Sequence, residues 1–303
     1  MTTESKITTL TPQMMLQLAA PHTWVAAVLP VLVGAAIAHS VVGTVDIALV
    51  LCMFVICILM QSGVNTLNDY MDFAKGADTL DNQVDSTDAV LVYNDVNPKD
   101  ALKLFFVFMA IALALGLYVV FRSSWITLAI GIAGALVIVA YSVGKTPLSY
   151  LPLGELASGF TMGGLICLAT AYVLTGTFSW LYLLQALPLI IGIGLINFTN
   201  NMCDIEKDID ANRKTMPVLL GRERAKKVYH VCMYLIVVSM VVLAAVFHPQ
   251  GCYVVLFLLI MSYPLLKALR MNPLVLESRV AAMSQVISLN ICLGAFYALS
   301  YLF

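Results

Sequence analysis

An all-α membrane protein with nine transmembrane helices is the fold class this sequence predicts, on three observations. The 303 residues are 61% hydrophobic and only 11% charged, whereas a soluble domain carries roughly 25% charged residues. The apolar residues run in stretches of about 20, the length of a helix across a bilayer; barrel strands need about 10 with alternation. The charges are also one-sided. With the N-terminus in the cytoplasm, every Lys and Arg except Arg122 falls on the inner side, as does every Asp and Glu except Asp46. That asymmetry sets the orientation.

In chain order, the first span, about 14–38, follows Lys6 with no A-x-A-like cleavage site, so it reads as a retained helix. The second, about 44–67, runs into a long polar loop at 69–100. Spans at about 101–121, 125–143, 153–175 and 180–201 follow, the last ending at a second polar loop, 202–225. The final three are about 226–247, 251–270 and 280–302. Nine spans leave the C-terminus outside, in a multi-pass protein of the cell membrane. Residues 1–303 read as one domain without a low-complexity linker. A net charge of −1 implies no polyanionic partner and no nucleic acid. The seven cysteines are scattered without C-x-x-C spacing and read as unpaired packing residues.

Two Asn-x-x-x-Asp patterns stand at the cytoplasmic ends of the second and sixth spans: Asn68 with Asp72, and Asn200 with Asp204, the latter continuing to Asp208. The copies are 132 residues apart at both positions. Residues i and i+4 share a helix face, so each pair presents oxygen donors together. Carboxylates at a membrane boundary are costly unless something cationic holds them. Asp69, Asp72 and Asp78 follow the second span, and Asp204, Asp208 and Asp210 the sixth. Such acids around one cavity would raise each other's pKa. Mg²⁺ resolves this, being a hard cation that shares carboxylates with substrate phosphates. The farther acids Asp81, Asp85, Asp88 and Asp95 read as solvated loop residues.

Lys75, Lys145, Arg213 and Lys214 lie near these motifs or on their face. Cations there would stabilise the charge of a departing diphosphate; the competing reading is positive-inside anchoring, which suffices for Lys226, Lys227, Lys267 and Arg270. Tyr70, Phe73, Tyr141 and Phe198 flank the motifs, and an aromatic face can stabilise a carbocation. Gly159-x-x-x-Gly163 and Gly192-x-Gly194 read as helix-packing positions.

These residues resemble the UbiA superfamily of intramembrane prenyltransferases over nearly the whole chain. Within it, Asn68-Asp69-Tyr70-Met71-Asp72-Phe73-Ala74-Lys75-Gly76-Ala77-Asp78 is similar to the N-D-Y-x-D-x-x-K-G-x-D of the MenA branch, the 1,4-dihydroxy-2-naphthoate polyprenyltransferases. Tyr141-Ser142, Pro147–Leu151 and Gly154-Glu155 are similar to that branch's middle loop. Asn200–Asp208 with Lys214-Thr215 and Val218–Arg222 is similar to its second loop, the most specific match. There are departures: Ala20-Pro21 stands where the family usually has Arg-Pro, with His22 a weak substitute, and Asp85–Val96 matches no pattern.

The resemblance implies a bundle of two related four-helix halves plus one helix. It implies Mg²⁺-dependent transfer of a polyprenyl group from polyprenyl diphosphate to an aromatic acceptor, within membrane lipid. The acceptor indicated is 1,4-dihydroxy-2-naphthoate, with decarboxylation, in menaquinone biosynthesis. It also implies two Mg²⁺ ions, held by Asn68, Asp69, Asp72, Asn200, Asp204 and Asp208. Lys75, Lys145, Arg213 and Lys214, with Asn68 and Asn200, would contact the diphosphate. Asp72, Asp204, Asp208 and Lys145 would be catalytic, and Tyr70, Tyr141 and Phe198 would meet the carbocation or acceptor. Other UbiA-type reactions stay open: transfer to 4-hydroxybenzoate or homogentisate, or terpene cyclisation. A cation-coupled transporter is the reading of a different class.

Overall fold

The computed structural model describes residues 9–76, 90–94 and 96–303. Lys6, Asp78, Asp81, Asp85, Asp88 and Asp95 lie outside the described residues. The first expected span is broken. Helix α1 (Pro12–Ala19) stops at Ala20, whose left-handed φ of 47° ends it, and Pro21 cannot donate to continue it. A 3₁₀ turn, Pro21–Thr23, then leads into α2 (Val25–Val42). Asn65 Nδ2 donates to Ala19 O and Thr23 Oγ1, and Trp24 Nε1 to Ala19 O and Ser62 Oγ. These bonds satisfy the groups that the break frees.

Helix α3 (Ile47–Lys75) opens on an Asp46 cap and closes at Gly76, left-handed at φ 70°. It is longer than the expected 44–67. The first Asn-x-x-x-Asp pattern therefore sits inside the last turns of a helix, not in a loop. After α4 (Val90–Tyr93) come α5 (Pro98–Arg122), started by Asn97 and Pro98, and α6 (Trp125–Ser142), started by Ser124. Where α3 begins and α5 ends, Arg122 pairs with Asp46 at 2.8 Å, joining the two charges that the charge pattern set apart from the rest.

A loop with a 3₁₀ turn at Leu148–Tyr150 leads to α7 (Gly154–Ser158), a π-helical turn at Gly159–Leu165, and α8 (Ile166–Thr175). The expected sixth span is also interrupted. α9 (Trp180–Gln185) and α10 (Leu187–Cys203) meet at Ala186, with Pro188 in the first turn of α10. Two short helices, α11 (Ile205–Asp210) and α12 (Met216–Leu220), occupy the second polar loop. Then come α13 (Arg222–Phe247), α14 (Cys252–Met271) and α15 (Arg279–Ser300). Among the described residues, eight helical stretches are long and apolar enough to cross a membrane, and α10 is a shorter apolar helix. Of the nine expected spans, the first and the sixth are thus interrupted, and only the sixth is left without a helix of spanning length among the described residues.

The pairings explain the repeat. α3 packs along α5 and α10 along α13; α2 packs along α8, and α15 covers α2, α10 and α14. Core stripes have helical spacing: Tyr229, Met233, Ile236 and Met240 are all buried on α13. Conversely, Phe106, Val107, Leu113, Phe121 and Leu136 are exposed apolar residues of α5 and α6. Water would penalise that surface; lipid does not. Trp125 and Trp180, 74% and 70% exposed, stand at the helix ends where interfacial aromatics belong. All seven cysteines are free.

Candidate active site

Helix α3 carries the first motif as spacing requires: Asn68 Nδ2 donates to Asp72 Oδ2 at 3.1 Å, one turn along the same face. Asn68 Oδ1 accepts from Ser142 Oγ at 3.3 Å, and Lys75 Nζ donates to Ser142 O at 3.3 Å. The end of α6 therefore clasps the end of α3. Asp69, one residue round the helix, accepts from the Val90 amide at 3.3 Å and so starts α4. Tyr70 and Phe73 pack on the cluster of Leu18, Val90, Leu91 and Val96.

The second motif is split by a helix break. Asp204 caps α10, its amide bonded to Asn200 O at 3.1 Å, and α11 starts at the next residue. Asp208 is bonded through its side chain by Thr215 Oγ1 at 2.9 Å. Asp72, Asp204 and Asp208 are all buried. Burial pushes the Asp208 carboxyl up to about 6, reinforced by Asp204 and opposed by Arg213, Thr215 and Lys207. Its charge, and its attraction for a cation, therefore fades as pH falls through that value.

Two arginines join these acids. Arg213 reaches Asp72 Oδ1 at 3.0 Å and Asp208 Oδ1 at 3.9 Å, bridging the two repeats. Burial opposes its charge, but Asp72, Tyr150 and Asp208 outweigh that and hold it above the usual arginine range. Its Nε is buried without a hydrogen-bond partner. Arg279 donates to Asn200 Oδ1 from Nη2 at 2.8 Å and from Nε at 3.2 Å, with Nε 3.3 Å from Asp204 Oδ2. Tertiary structure thus sets Asp72 and Asp208 on one guanidinium, and Asn200 and Asp204 on another.

The Tyr150 ring lies between Lys75 Nζ, 5.0 Å from its centroid, and the Arg213 guanidinium, at 4.6 Å. Its carbonyl accepts from the Lys214 amide at 2.8 Å. Lys145 and Lys214 are exposed and line a cleft of ≈270 Å³ with Thr146, Tyr150 and Asn212. Tyr141 accepts from Asn197 Nδ2 at 3.0 Å. Phe198 is in the core, stacked on Tyr229 with centroids 6.1 Å apart, so its contacts are packing contacts.

Sequence reasoning gave no site role to Arg279, Tyr150, Thr215, Ser142, Asn197, Asn201 or Glu155. Glu155 is 3% exposed and accepts from Asn201 Nδ2 at 2.8 Å and the Met216 amide at 3.3 Å, while its Oε2 is buried without a hydrogen-bond partner. An acid at the head of an apolar run, and Asn197 and Asn201 at i, i+4 before a polar loop, were the available signals. Arg279 gave none, since the positive-inside count already accounted for it.

One fastening outside the acids is testable. Arg222 forks onto Glu206 with two 2.8 Å bonds, and also donates to Met202 O and Leu274 O. The Arg222 bond holds the Glu206 carboxyl below the usual range, but that carboxylate is 70% exposed. Glu206→Gln should cost less than about 1 kcal/mol. Arg222→Ala should cost clearly more, because it strands two carbonyls. Thermal unfolding in detergent compares them, and equal losses would refute the assignment.

The donors here are oxygens suited to a hard divalent cation. Among the described residues no three of His, Cys, Asp or Glu stand close enough to hold a metal themselves. A bound phosphate would have to supply further ligands, and the unpartnered Arg213 Nε is a donor ready for such an anion.

A profile of the UbiA prenyltransferase family matches residues 27–297. The 1,4-dihydroxy-2-naphthoate octaprenyltransferase of Bacillus subtilis is 36% identical over 213 residues, 70% of this chain and 68% of that one. UbiA prenyltransferase domain-containing protein 1 of Danio rerio is 27% identical over 283 residues, 91% of this chain and 80% of that one. Among solved structures, a UbiA homolog from Archaeoglobus fulgidus bound to DMAPP and Mg²⁺ matches with a TM-score of 0.62 at 15% identity, over 93% of this chain and 99% of that one. The apo UbiA homolog from Aeropyrum pernix K1 matches with a TM-score of 0.68 at 16% identity, over 91% and 96%. These likenesses carry the fold. With the family match spanning nearly all the helices described above, the chain belongs to the UbiA prenyltransferase family and is a multi-pass membrane prenyltransferase.

Proposed function

We propose that this enzyme transfers a polyprenyl group from polyprenyl diphosphate to 1,4-dihydroxy-2-naphthoate, with loss of CO₂, as a step of menaquinone biosynthesis. The observation that carries the reading is the meeting of Asp72 and Asp208, one from each repeat, on Arg213. The Bacillus subtilis relative, named for that acceptor, supports the choice of ring. Residues 1–303 act as one domain of the cell membrane, with the site and N-terminus cytoplasmic and the C-terminus outside, on the charge asymmetry of the sequence.

Two Mg²⁺ ions, when bound, would supply the positive charge that neutralises the leaving diphosphate. Asn68, Asp72, Asn200, Asp204 and Asp208 would hold them, with Asp69 close by on α3. Arg213 and Lys75, fixed against Tyr150, and Lys145 and Lys214 on the cleft beyond, offer donors to the diphosphate. The allylic C–O bond breaks, the diphosphate leaves with the electron pair, and the electron-rich ring attacks the allylic cation. The carboxylate then leaves as CO₂ and its electron pair returns to the ring, with no net change in protons. Tyr70 on α3 and Tyr141 on α6 are the aromatic residues assigned to the carbocation or acceptor. The isoprenoid tail lies in the apolar bundle, which explains why polar chemistry is joined to so much hydrophobic helix. Acids gathered at one face, together with the family membership, speak against a cation-coupled transporter.

The test is acceptor screening. Membranes containing the protein are given labelled polyprenyl diphosphate, Mg²⁺ and one aromatic at a time, and products are weighed by mass spectrometry. A prenylated, decarboxylated naphthoquinol is the expected product. Product only with 4-hydroxybenzoate or homogentisate, or a cyclised terpene without acceptor, would replace this reading with a different UbiA-type reaction.

A further inference from the structure

The ends of α13 and α14 nearest the site carry a second group of cations, which prenyl transfer does not use. Lys226, His230 and Tyr234 follow one another at i, i+4 and i+8 on α13, so they form one stripe. Lys267 and Arg270 lie at i, i+3 in the last turns of α14. The two helices pack together, and Arg222 at the head of α13 holds the Leu274 carbonyl just beyond the end of α14. The cations therefore converge. Arg270 Nη1 donates to Tyr234 Oη at 3.4 Å, and the charges of Lys226 and Arg270 both bear on His230.

Among the described residues none of Lys226, Lys267 and Arg270 forms an ion pair, not even with Glu223, one turn before Lys226. Tyr234 accepts from Arg270, so its own proton is left for another acceptor. Beneath them His230 Nε2 is buried without a hydrogen-bond partner, an orphan that an acceptor drawn in by the cations would satisfy. Retention on one side of the bilayer asks only that the charges stay on that side. It does not ask for a tyrosine and an orphaned histidine among them. The surface leading away from the cations is apolar and open. Leu256, Ile260 and Tyr263, on the α14 face that carries Lys267, are each more than half exposed, as is Val238, one turn beyond Tyr234 on α13. A free phosphate would use only the cations; a lipid would use both surfaces. We propose that this end of the α13–α14 pair binds one anionic phospholipid. Its phosphate lies among Lys226, Tyr234, Lys267 and Arg270, and its acyl chains run along the exposed apolar face of α14. The site needs neither metal nor aromatic acceptor, so it stands apart from the prenyl-transfer reading.

The full-length protein is purified in neutral detergent and washed free of lipid. Phosphatidylglycerol, phosphatidylcholine with the same chains, and inorganic phosphate are titrated in separately, and native mass spectrometry follows the bound species. One phosphatidylglycerol should bind the wild type about tenfold tighter than phosphatidylcholine, or more. Lys226→Gln combined with Arg270→Gln removes two charges and should weaken phosphatidylglycerol about thirtyfold. Lys99→Gln combined with Lys103→Gln removes the same charge from the start of α5 and should leave that affinity within about twofold of wild type. If the Lys226 and Arg270 double variant does not stay folded, each single variant should lose about fivefold. Equal affinity for the two lipids overturns the inference. So does an equal loss in both double variants, which would mean diffuse surface charge and no site. Inorganic phosphate that displaces phosphatidylglycerol at matched concentration overturns it too, since the apolar face would then contribute nothing.

Discussion

Asp72→Ala and Asp204→Ala are each expected to reduce prenyl transfer on the order of a thousandfold, the scale on which loss of a preorganised electrostatic group is felt. Asp72 accepts from Asn68 and pairs with Arg213 at 3.0 Å. Removing its carboxylate leaves Arg213 with Asp208 at 3.9 Å and takes a donor from the proposed metal site. Asp204 caps α10 and lies 3.3 Å from Arg279 Nε. Its loss removes a second proposed ligand and one partner of the Arg279 guanidinium, which stays bonded to Asn200. Activity is read with labelled polyprenyl diphosphate and excess acceptor in membranes. Asp72→Asn and Asp204→Asn serve as companions, keeping size and one oxygen while deleting the charge. They should be folded and equally inactive. If the alanine variants retain near-normal Mg²⁺-dependent transfer, the acids are not the site.

Gly159→Val and Gly163→Val should prevent accumulation of folded protein. A Cβ on Gly159 would lie 2.3 Å from Ile190 O, and one on Gly163 would lie 2.6 Å from the Ile190 nitrogen. Both obstacles are backbone of α10, so no rotamer change relieves them. Ordinary overpacking costs about 1–3 kcal/mol, and a backbone clash that separates two helices should exceed it. The chemistry depends on this contact, because α7 carries Glu155 to Asn201 just above the acids. Gly131→Ala is the control: a Cβ there meets nothing within 4 Å, and a helical Ala should be neutral or slightly stabilising. Detergent-extracted yield and size-exclusion profiles decide. Monodisperse Gly159→Val at wild-type yield would show that α7 and α10 can move apart.

The two acid motifs were legible because they are local. Asn and Asp at i, i+4 must share a face, and α3 realises that with a side-chain bond. The membrane class was legible because lipid enforces it: runs of apolar residues are a one-dimensional quantity. The places where the spans failed have local causes that a hydropathy pattern averages over. Ala20 adopts a left-handed conformation before Pro21, and Pro188 starts a new helix after Ala186. Phe198 shows the limit of proximity in sequence. It lies two residues from Asn200, yet helical rotation turns it onto Tyr229 in the core.

The sequence by itself determined the class of molecule, an all-helical membrane protein, and the shared helix face of Asn68 and Asp72, since periodicity, composition and spacing act within one or two helical turns. Only the tertiary structure decided which donors share a cation. Arg213 joins Asp72 of α3 to Asp208 of α11, Arg279 of α15 holds Asn200 and Asp204 of α10, and Tyr150 sets Lys75 beside Arg213. Those contacts depend on where helices distant in the chain end relative to one another. That is fixed by close approaches such as those of Gly159 and Gly163 to the Ile190 backbone of α10, where the glycine spacing indicates a packing position but not the partner it meets.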